Sequence, residues 1–175
     1  VGAFVTSPLQ VLLGRGDGTF GEPTVYGDAI GVNEIKAADI NGDEIADFVA
    51  ISEGSSAFVL LGAPSSVLGP VRSIGIGGSA KDLALGDFDR DGRLDLAITM
   101  LSPGELRLLY GFGDGTFGSV RSFPTGGPAY GLVTGDWNED GILDLAAMRS
   151  YTDGVLLLLE NSIDAGARAI SVQLL

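Results

Sequence analysis

The sequence repeats itself at a period of about 48 residues. Three aspartate-rich segments, residues 39–47, 87–95 and 136–144, align without gaps, and their first residues lie 48 and 49 positions apart. A repeat of this length indicates that each copy is one supersecondary unit, which buries its apolar faces only by stacking on its neighbours. The chain must therefore fold as a stack of equivalent units rather than around one irregular core.

A glycine-rich segment recurs in step with the aspartate segments. Residues 14–21 and 111–118 share the pattern Gly-x-Gly-Asp-Gly-Thr-Phe-Gly and lie 97 residues apart, which is two periods, while the intervening copy at 62–69 has diverged. Each period contains four short segments with strand character, separated by Gly, Asn, Asp and Ser turns. The predicted strands are 34–38, 47–52, 57–62 and 71–75 in one period, and 82–86, 95–99, 106–111 and 120–123 in the next.

Several predicted strands are too uniformly apolar for a sheet with one solvated face. Residues 94–100 and 155–159 are examples. Such runs are typical of sheets that are covered on both faces. A buried helix is the competing interpretation, but the runs are short and end at Gly or turn residues. Four-stranded units repeated at this spacing predict an all-β fold made of β-propeller blades with four antiparallel strands each.

We expect a single β-propeller region over residues 1–175, with a partial blade at 1–30 and complete blades at 31–78, 79–127 and 128–175. Alignment of the first two copies places Val1 level with Val49, inside a second strand, so the first blade lacks its aspartate loop and innermost strand. An open end exposes an apolar face and an unpaired strand edge. We expect a fragment of a longer chain or a subunit of an assembly; four blades closed by a strand donated from elsewhere are the third possibility.

The composition argues against several classes of function. The chain has 10 Lys and Arg against 23 Asp and Glu, a formal net charge of -13, which disfavours a nucleic-acid partner because phosphates need clustered cations. It has neither His nor Cys, so no Ser-His-Asp or Cys-His catalytic unit, disulfide or His-ligated zinc site can form within it. No apolar run is long enough for a transmembrane helix, and no signal peptide is visible. We expect neither enzyme activity nor membrane insertion.

The aspartate segments have the residue types and spacing of calcium-binding loops. Side-chain oxygens stand at positions 1, 3, 5 and 9, and a backbone carbonyl at position 7 completes the set. The predicted ligands are Asp39, Asn41, Asp43, the Ile45 carbonyl and Asp47 in loop 1; Asp87, Asp89, Asp91, the Arg93 carbonyl and Asp95 in loop 2; and Asp136, Asn138, Asp140, the Ile142 carbonyl and Asp144 in loop 3. Hard oxygen donors in this number suit Ca²⁺ better than Mg²⁺, which demands octahedral geometry and retains water.

The three loops differ in sequence. Loop 1 has Gly42 at position 4 and Glu44 at position 6, where a glycine normally relieves the backbone, so it is the weakest match to the pattern. Loop 3 has Asn138 at position 3, which predicts a lower affinity. The alternative interpretation is that all three are Asx turns that only connect strands. Up to three structural calcium ions would relieve the crowding of carboxylates in these loops.

A large apolar residue stands at position 2 of each loop: Ile40, Phe88 and Trp137. An aromatic side chain at this repeated spacing is usually part of a core. We therefore expect Trp137 to pack beneath its loop, with stacking on a sugar as the alternative.

Together these motifs resemble those of the FG-GAP/VCBS repeat family, known from the propeller heads of integrin α subunits. The aspartate loop, the strand that follows it and the Gly-Asp-Gly-Thr-Phe hairpin all match, and they cover nearly the whole chain. The resemblance implies a secreted or cell-surface calcium-binding propeller that serves in adhesion to a protein or glycan ligand. It leaves open a lectin-like carbohydrate-binding propeller, a structural subunit of an extracellular filament that self-assembles through open blade faces, and a propeller appended to an enzyme.

Overall fold

The computed structural model describes residues 8–26, 31–52, 54–64, 68–149, 156–164 and 167–174. In these parts of the chain it contains fourteen β-strands and no helix, and accordingly no helix that is long and apolar enough to cross a membrane. The strands form one two-stranded and three four-stranded antiparallel sheets. The all-β fold and the four-stranded blades predicted from the repeat are therefore confirmed.

Each sheet is an antiparallel meander of consecutive strands, and we number the sheets blades 1 to 4 in chain order. Blade 1 contains β1 (Leu9–Val11) and β2 (Thr24–Tyr26); blade 2 contains β3 (Val32–Ala38), β4 (Asp47–Ser52), β5 (Ser56–Leu60) and β6 (Arg72–Gly75); blade 3 contains β7 (Ser79–Gly86), β8 (Asp95–Ser102), β9 (Glu105–Leu109) and β10 (Arg121–Pro124); blade 4 contains β11 (Gly131–Gly135), β12 (Asp144–Met148), β13 (Leu156–Asp164) and β14 (Ala167–Leu174). In blades 2 and 3 these bounds differ from the predicted ones by at most three residues.

The aspartate loops connect the first and second strands of blades 2, 3 and 4. The residue at position 9 opens the second strand and pairs with the last residue of the first strand, in the pairs Ala38 with Asp47, Gly86 with Asp95 and Gly135 with Asp144. Because the register is the same in all three blades, each loop lies at the same end of its blade.

The core lies between neighbouring blades. One buried cluster joins blades 2 and 3 and includes Ile51 and Leu96, and a second joins blades 3 and 4 and includes Leu108 and Leu145. Blade 3 is therefore covered on both faces, and the first six residues of β8 are buried, as its continuous apolar run predicts. Each fully buried aliphatic side chain of this size stabilises the stack by about 1.5–3 kcal/mol.

The first strands of the blades are adjacent. Strand β7 contacts β3 on one side and β11 on the other, which is the arrangement of innermost strands in a propeller. Together they line an open cavity of about 440 Å³, to which Lys36, Leu85 and Val133 contribute. Within the described residues the sheets do not close into a ring.

The residue at position 2 is buried in loops 1 and 2 but not in loop 3. Ile40 and Phe88 are each 3% exposed, and they lie in the two interblade clusters. Trp137 is 46% exposed, so the prediction of a buried side chain is wrong there. The difference follows from position in the stack, because the cluster that would bury Trp137 needs a further blade beside blade 4.

Candidate metal centres

The carboxylate at position 1 shapes each loop by accepting backbone hydrogen bonds. Asp87 Oδ1 accepts from the N–H of Asp91 at 3.1 Å, and its Oδ2 accepts from the next residue at 2.9 Å. Asp39 and Asp136 make equivalent bonds of 2.8–3.1 Å. The N–H of Glu44 is the main reason that the pKa of Asp39 lies below its usual value. Each loop is thus folded around the side chain at position 1.

Positions 3 and 5 form Asx turns inside the loop. In loop 2, Asp89 Oδ1 accepts from the N–H of Asp91 at 3.2 Å, and Asp91 Oδ1 accepts from that of Arg93 at 2.9 Å. In loop 1, Asn41 Nδ2 donates to Asp43 Oδ2 at 3.0 Å. In loop 3 the side-chain amide at position 3 donates an equivalent hydrogen bond to the carboxylate at position 5, at 3.2 Å. Asx turns therefore account for the shape of the loops. An Asx turn does not by itself require several carboxylates to lie close together.

The aspartate at position 9 is a buried anchor. Asp47, Asp95 and Asp144 are all 0% exposed. Asp95 Oδ2 accepts from the N–H of Phe88 in its own loop at 2.9 Å, and its Oδ1 accepts from the N–H of Gly111, beyond the third strand, at 2.8 Å. Burial raises the pKa of Asp95 to about 6, against the lowering effect of these two bonds, and the nearby charges of Asp89 and Asp91 raise it further.

Two glycines are part of this anchor although the sequence pattern identifies them only as hairpin residues. Gly111 donates to Asp95, and Gly62 donates to Asp47 at 2.7 Å. A side chain at Gly111 would collide with the carbonyl oxygen of Leu94. A side chain at Gly62 would likewise collide with a backbone carbonyl oxygen, so both positions require glycine. In the sequence, these anchoring glycines can be recognised by their separation of 15 or 16 residues from position 9 of the loop.

Loop 2 brings three carboxylates together. Oxygen atoms of Asp87, Asp89 and Asp95 lie within 4.8 Å of one another, and no other group of three acidic residues in the described part of the chain is as close. The fourth acidic residue, Asp91, has one oxygen 3.7 Å from the guanidinium of Arg93. Like charges at this spacing repel one another strongly when one of them is buried. A cluster of hard oxygen donors with this charge fits a calcium ion.

Two positions in every loop have left-handed backbone. Position 4 has φ of 77° at Gly42, 60° at Arg90 and 58° at Glu139, and position 6 has φ of 65° at Glu44, 82° at Gly92 and 78° at Gly141. Each loop therefore holds one glycine and one other residue in conformations that favour glycine. Loop 1 departs from the sequence pattern only because its glycine stands at position 4 instead of position 6.

Comparison with known proteins supports the repeat and the fold. The sequence profile of the FG-GAP-like repeat matches residues 39–98 and 87–147, and both matches begin at an aspartate loop. No curated protein sequence gives a significant match. A solved structure of an Agrocybe aegerita lectin, described as specifically recognising non-reducing terminal N-acetylglucosamine, is similar with a TM-score of 0.62 and 21% identity. The likeness covers 94% of this chain and 46% of the lectin chain, so this chain spans about half the length of the lectin.

Proposed function

This chain belongs to the FG-GAP-like repeat family, and we propose that it is a calcium-stabilised β-propeller scaffold that acts outside the cell in adhesion or protein interaction. The observation that carries the calcium part is the carboxylate cluster of loop 2, whose three members have oxygens within 4.8 Å of one another. This arrangement raises the free energy of the folded chain unless a cation balances it.

The role we propose for the ion is structural. In loop 2 the side chains of Asp87, Asp89, Asp91 and Asp95 and the carbonyl of Arg93 would hold it. Asp95 also bonds to the hairpin beyond the third strand, so an ion at this loop would stabilise the contact between two separate turns of the blade. Affinities of about 10⁻⁴ to 10⁻³ M, typical of extracellular modules, are sufficient for this role outside cells. Loops 1 and 3, which have an amide at position 3, would bind more weakly.

The support for a binding scaffold rather than an enzyme comes from the residues themselves. The chain contains no His and no Cys, which removes the usual nucleophile and base pairs. The acidic residues that cluster in loop 2 already accept hydrogen bonds from loop backbone. We propose that binding occurs on the outer surfaces of the blades and that the loops keep those surfaces in place.

Glycan binding is the second candidate function, and the lectin of similar fold is the observation that favours it. A lectin-like propeller would bind specific sugars on a glycan array. The binding would be lost on substitution of an aromatic residue such as Tyr130, which directly precedes β11 and is partly exposed. A scaffold for protein partners would give no specific signal on the array. Calcium would stabilise a protein-binding scaffold and a lectin alike, so a calcium response does not distinguish them. The glycan array does.

Thermal unfolding with and without calcium tests the proposal. At a calcium concentration 100-fold above Kd, one site stabilises the fold by about 2.7 kcal/mol, which corresponds to a rise in Tm of roughly 5–10 °C for a chain of this size. Asp87→Asn should reduce the rise, whereas Asp17→Asn, an exposed hairpin acid outside the loops, should not. Equal Tm values in calcium and in EGTA would refute the calcium part of the proposal.

A further inference from the structure

Loop 1 contains a sequence that loops 2 and 3 lack, an asparagine followed by a glycine. The chain has four asparagines, and of these only Asn41 has a glycine after it. At the same position of loop 3, Asn138 is followed by Glu139. Asparagine is among the chemically labile residues of proteins. Its side-chain amide is attacked by the backbone nitrogen of the next residue, and a glycine there gives the least steric hindrance and the most conformational freedom.

Asn41 and the glycine after it are accessible to water. Gly42 is exposed and Asn41 is half-buried. The space in which a Cβ of Gly42 would stand is open to 4 Å. Gly42 has φ of 77°, and Glu139 has φ of 58° at the same position of loop 3. The two loops therefore share the backbone conformation at position 4 and differ in the residue type.

Hydrogen bonds hold both reacting groups in the folded loop 1. Asn41 Oδ1 accepts from the N–H of Asp43 at 3.1 Å, and Asn41 Nδ2 donates to Asp43 Oδ2 at 3.0 Å. The N–H of Gly42 donates to Asp39 Oδ1 at 2.8 Å. The attack requires release of the side-chain amide and of this N–H, so the reaction needs loop 1 to open. All three bonds are exposed to solvent, and exposed loop hydrogen bonds open at low cost in free energy.

We infer that Asn41 is a site of spontaneous deamidation, and that opening of loop 1 limits its rate. The deprotonated nitrogen of Gly42 attacks Cγ of Asn41, a C–N bond forms, and the side-chain nitrogen leaves as ammonia. Water then adds to a carbonyl of the resulting five-membered imide and breaks a C–N bond, which leaves aspartate or its isomer isoaspartate. Overall the reaction consumes one water and releases one ammonium ion, and no electrons are transferred.

This conversion changes the charge of loop 1. The new carboxylate replaces the amide that donates to Asp43 Oδ2, so a hydrogen bond becomes a repulsion between like charges. The aspartate product has carboxylates at positions 1, 3, 5 and 9, as loop 2 has. The isoaspartate product has the same charge and a longer backbone, which disturbs the turn. In both products loop 1 loses the bond that held position 3 to position 5, so the metal-free loop opens more readily.

Peptide mapping by mass spectrometry of the whole chain, kept in EDTA at mildly basic pH, tests the inference. The peptide that contains Asn41 should gain about 1 Da, the difference between an amide and a carboxylic acid, and should contain isoaspartate. The peptide that contains Asn138 should stay unchanged over the same incubation. Loop 3 is the internal control, since its asparagine makes the same two side-chain hydrogen bonds at 3.0 and 3.2 Å.

Matched double variants exchange positions 4 and 6 of a loop without changing composition or charge. Gly42→Glu combined with Glu44→Gly gives residues 41–44 the Asn-Glu-Asp-Gly sequence of loop 3, and the conversion of Asn41 should be lost. Glu139→Gly combined with Gly141→Glu makes the reverse exchange and should turn Asn138 into a site of conversion. Circular dichroism verifies that both variants fold, and the comparison of Asn41 with Asn138 in the wild type decides the question if either does not.

The same incubation in urea tests the role of the folded loop. The unfolded chain should convert Asn41 several times faster than the folded chain, because the three hydrogen bonds are absent. An unmodified Asn41 in the folded chain, equal conversion of Asn41 and Asn138, or a rate that urea leaves unchanged would each overturn the inference. The measurement in EDTA involves no calcium, so its outcome is independent of the calcium proposal.

Discussion

Loops 1 and 2 have the same backbone and different charge. Both have left-handed residues at positions 4 and 6, and both are anchored at position 9 by two backbone N–H groups. At position 3, however, loop 1 has Asn41, which donates to the carboxylate at position 5, whereas loop 2 has Asp89, which adds a charge to the cluster. The comparison indicates that hydrogen bonds fix the shape of the loop. For the proposed calcium sites, it predicts that the residue at position 3 sets how strongly each loop depends on the ion.

Removal of the position 9 anchor should have the largest effect in both loops. Asp95→Ala and Asp47→Ala each leave two backbone N–H groups without their acceptor, so each should lower the free energy of unfolding by about 3 kcal/mol. Urea denaturation in EDTA measures this loss, with Asp17→Ala as the exposed control. A loss in only one loop would show that the two anchors are not equivalent.

Exchange of the position 3 residues should transfer calcium affinity from one loop to the other. Asp89→Asn removes one charge from loop 2 and should weaken calcium binding there about tenfold, or about 1.4 kcal/mol. Asn41→Asp adds the charge to loop 1 and should strengthen binding by a similar factor. Calorimetric titration of both variants measures the change; unchanged affinity in both would mean that position 3 does not distinguish the loops.

The pH dependence of stability should reveal the buried carboxylate of loop 2. The pKa of Asp95 is raised from 3.8 to about 6, so between these values the folded chain holds a proton that the unfolded chain has released. The free energy of unfolding should therefore fall as pH rises through this range and level off above it, by on the order of 1 kcal/mol.

In the proposed site calcium would bind the ionised form of Asp95, so saturating calcium should flatten this slope. Asp95→Asn should remove it even without metal. Denaturation at a series of pH values in EDTA measures the effect, and a stability that rises from pH 4 to pH 6 in the wild type, with no such rise in Asp95→Asn, would contradict the assignment.

Relief of backbone strain should have the smallest effect. Glu44 in loop 1 and Arg90 in loop 2 have positive φ without being glycine. Glu44→Gly and Arg90→Gly should each stabilise the metal-free fold by about 0.5 kcal/mol, because the strain removed slightly exceeds the entropic cost of a glycine. Thermal unfolding of the two variants measures the gain, and Gly42→Ala is the reverse control, with an expected loss.

Local features of the sequence predict the four-stranded blades well. Strand β4 begins at Asp47 as predicted because the turn before it and the apolar run after it are both visible in the sequence. The backbone strain at Arg90 depends on the path of the loop, and the residue type at this position does not predict it. The bond from Asp95 to Gly111 depends on how separate turns meet, and the exposure of Trp137 depends on which blades are neighbours; neither property is local.

The bond from position 9 to the distant glycine also bears on how a blade opens. The amides of Phe88 and Gly111 share one carboxylate as acceptor, so the loop at one turn and the hairpin at another lose their protection from hydrogen exchange together when that carboxylate moves away. Blades 2 and 3 should then each open as one cooperative unit rather than fray strand by strand from the outer edge.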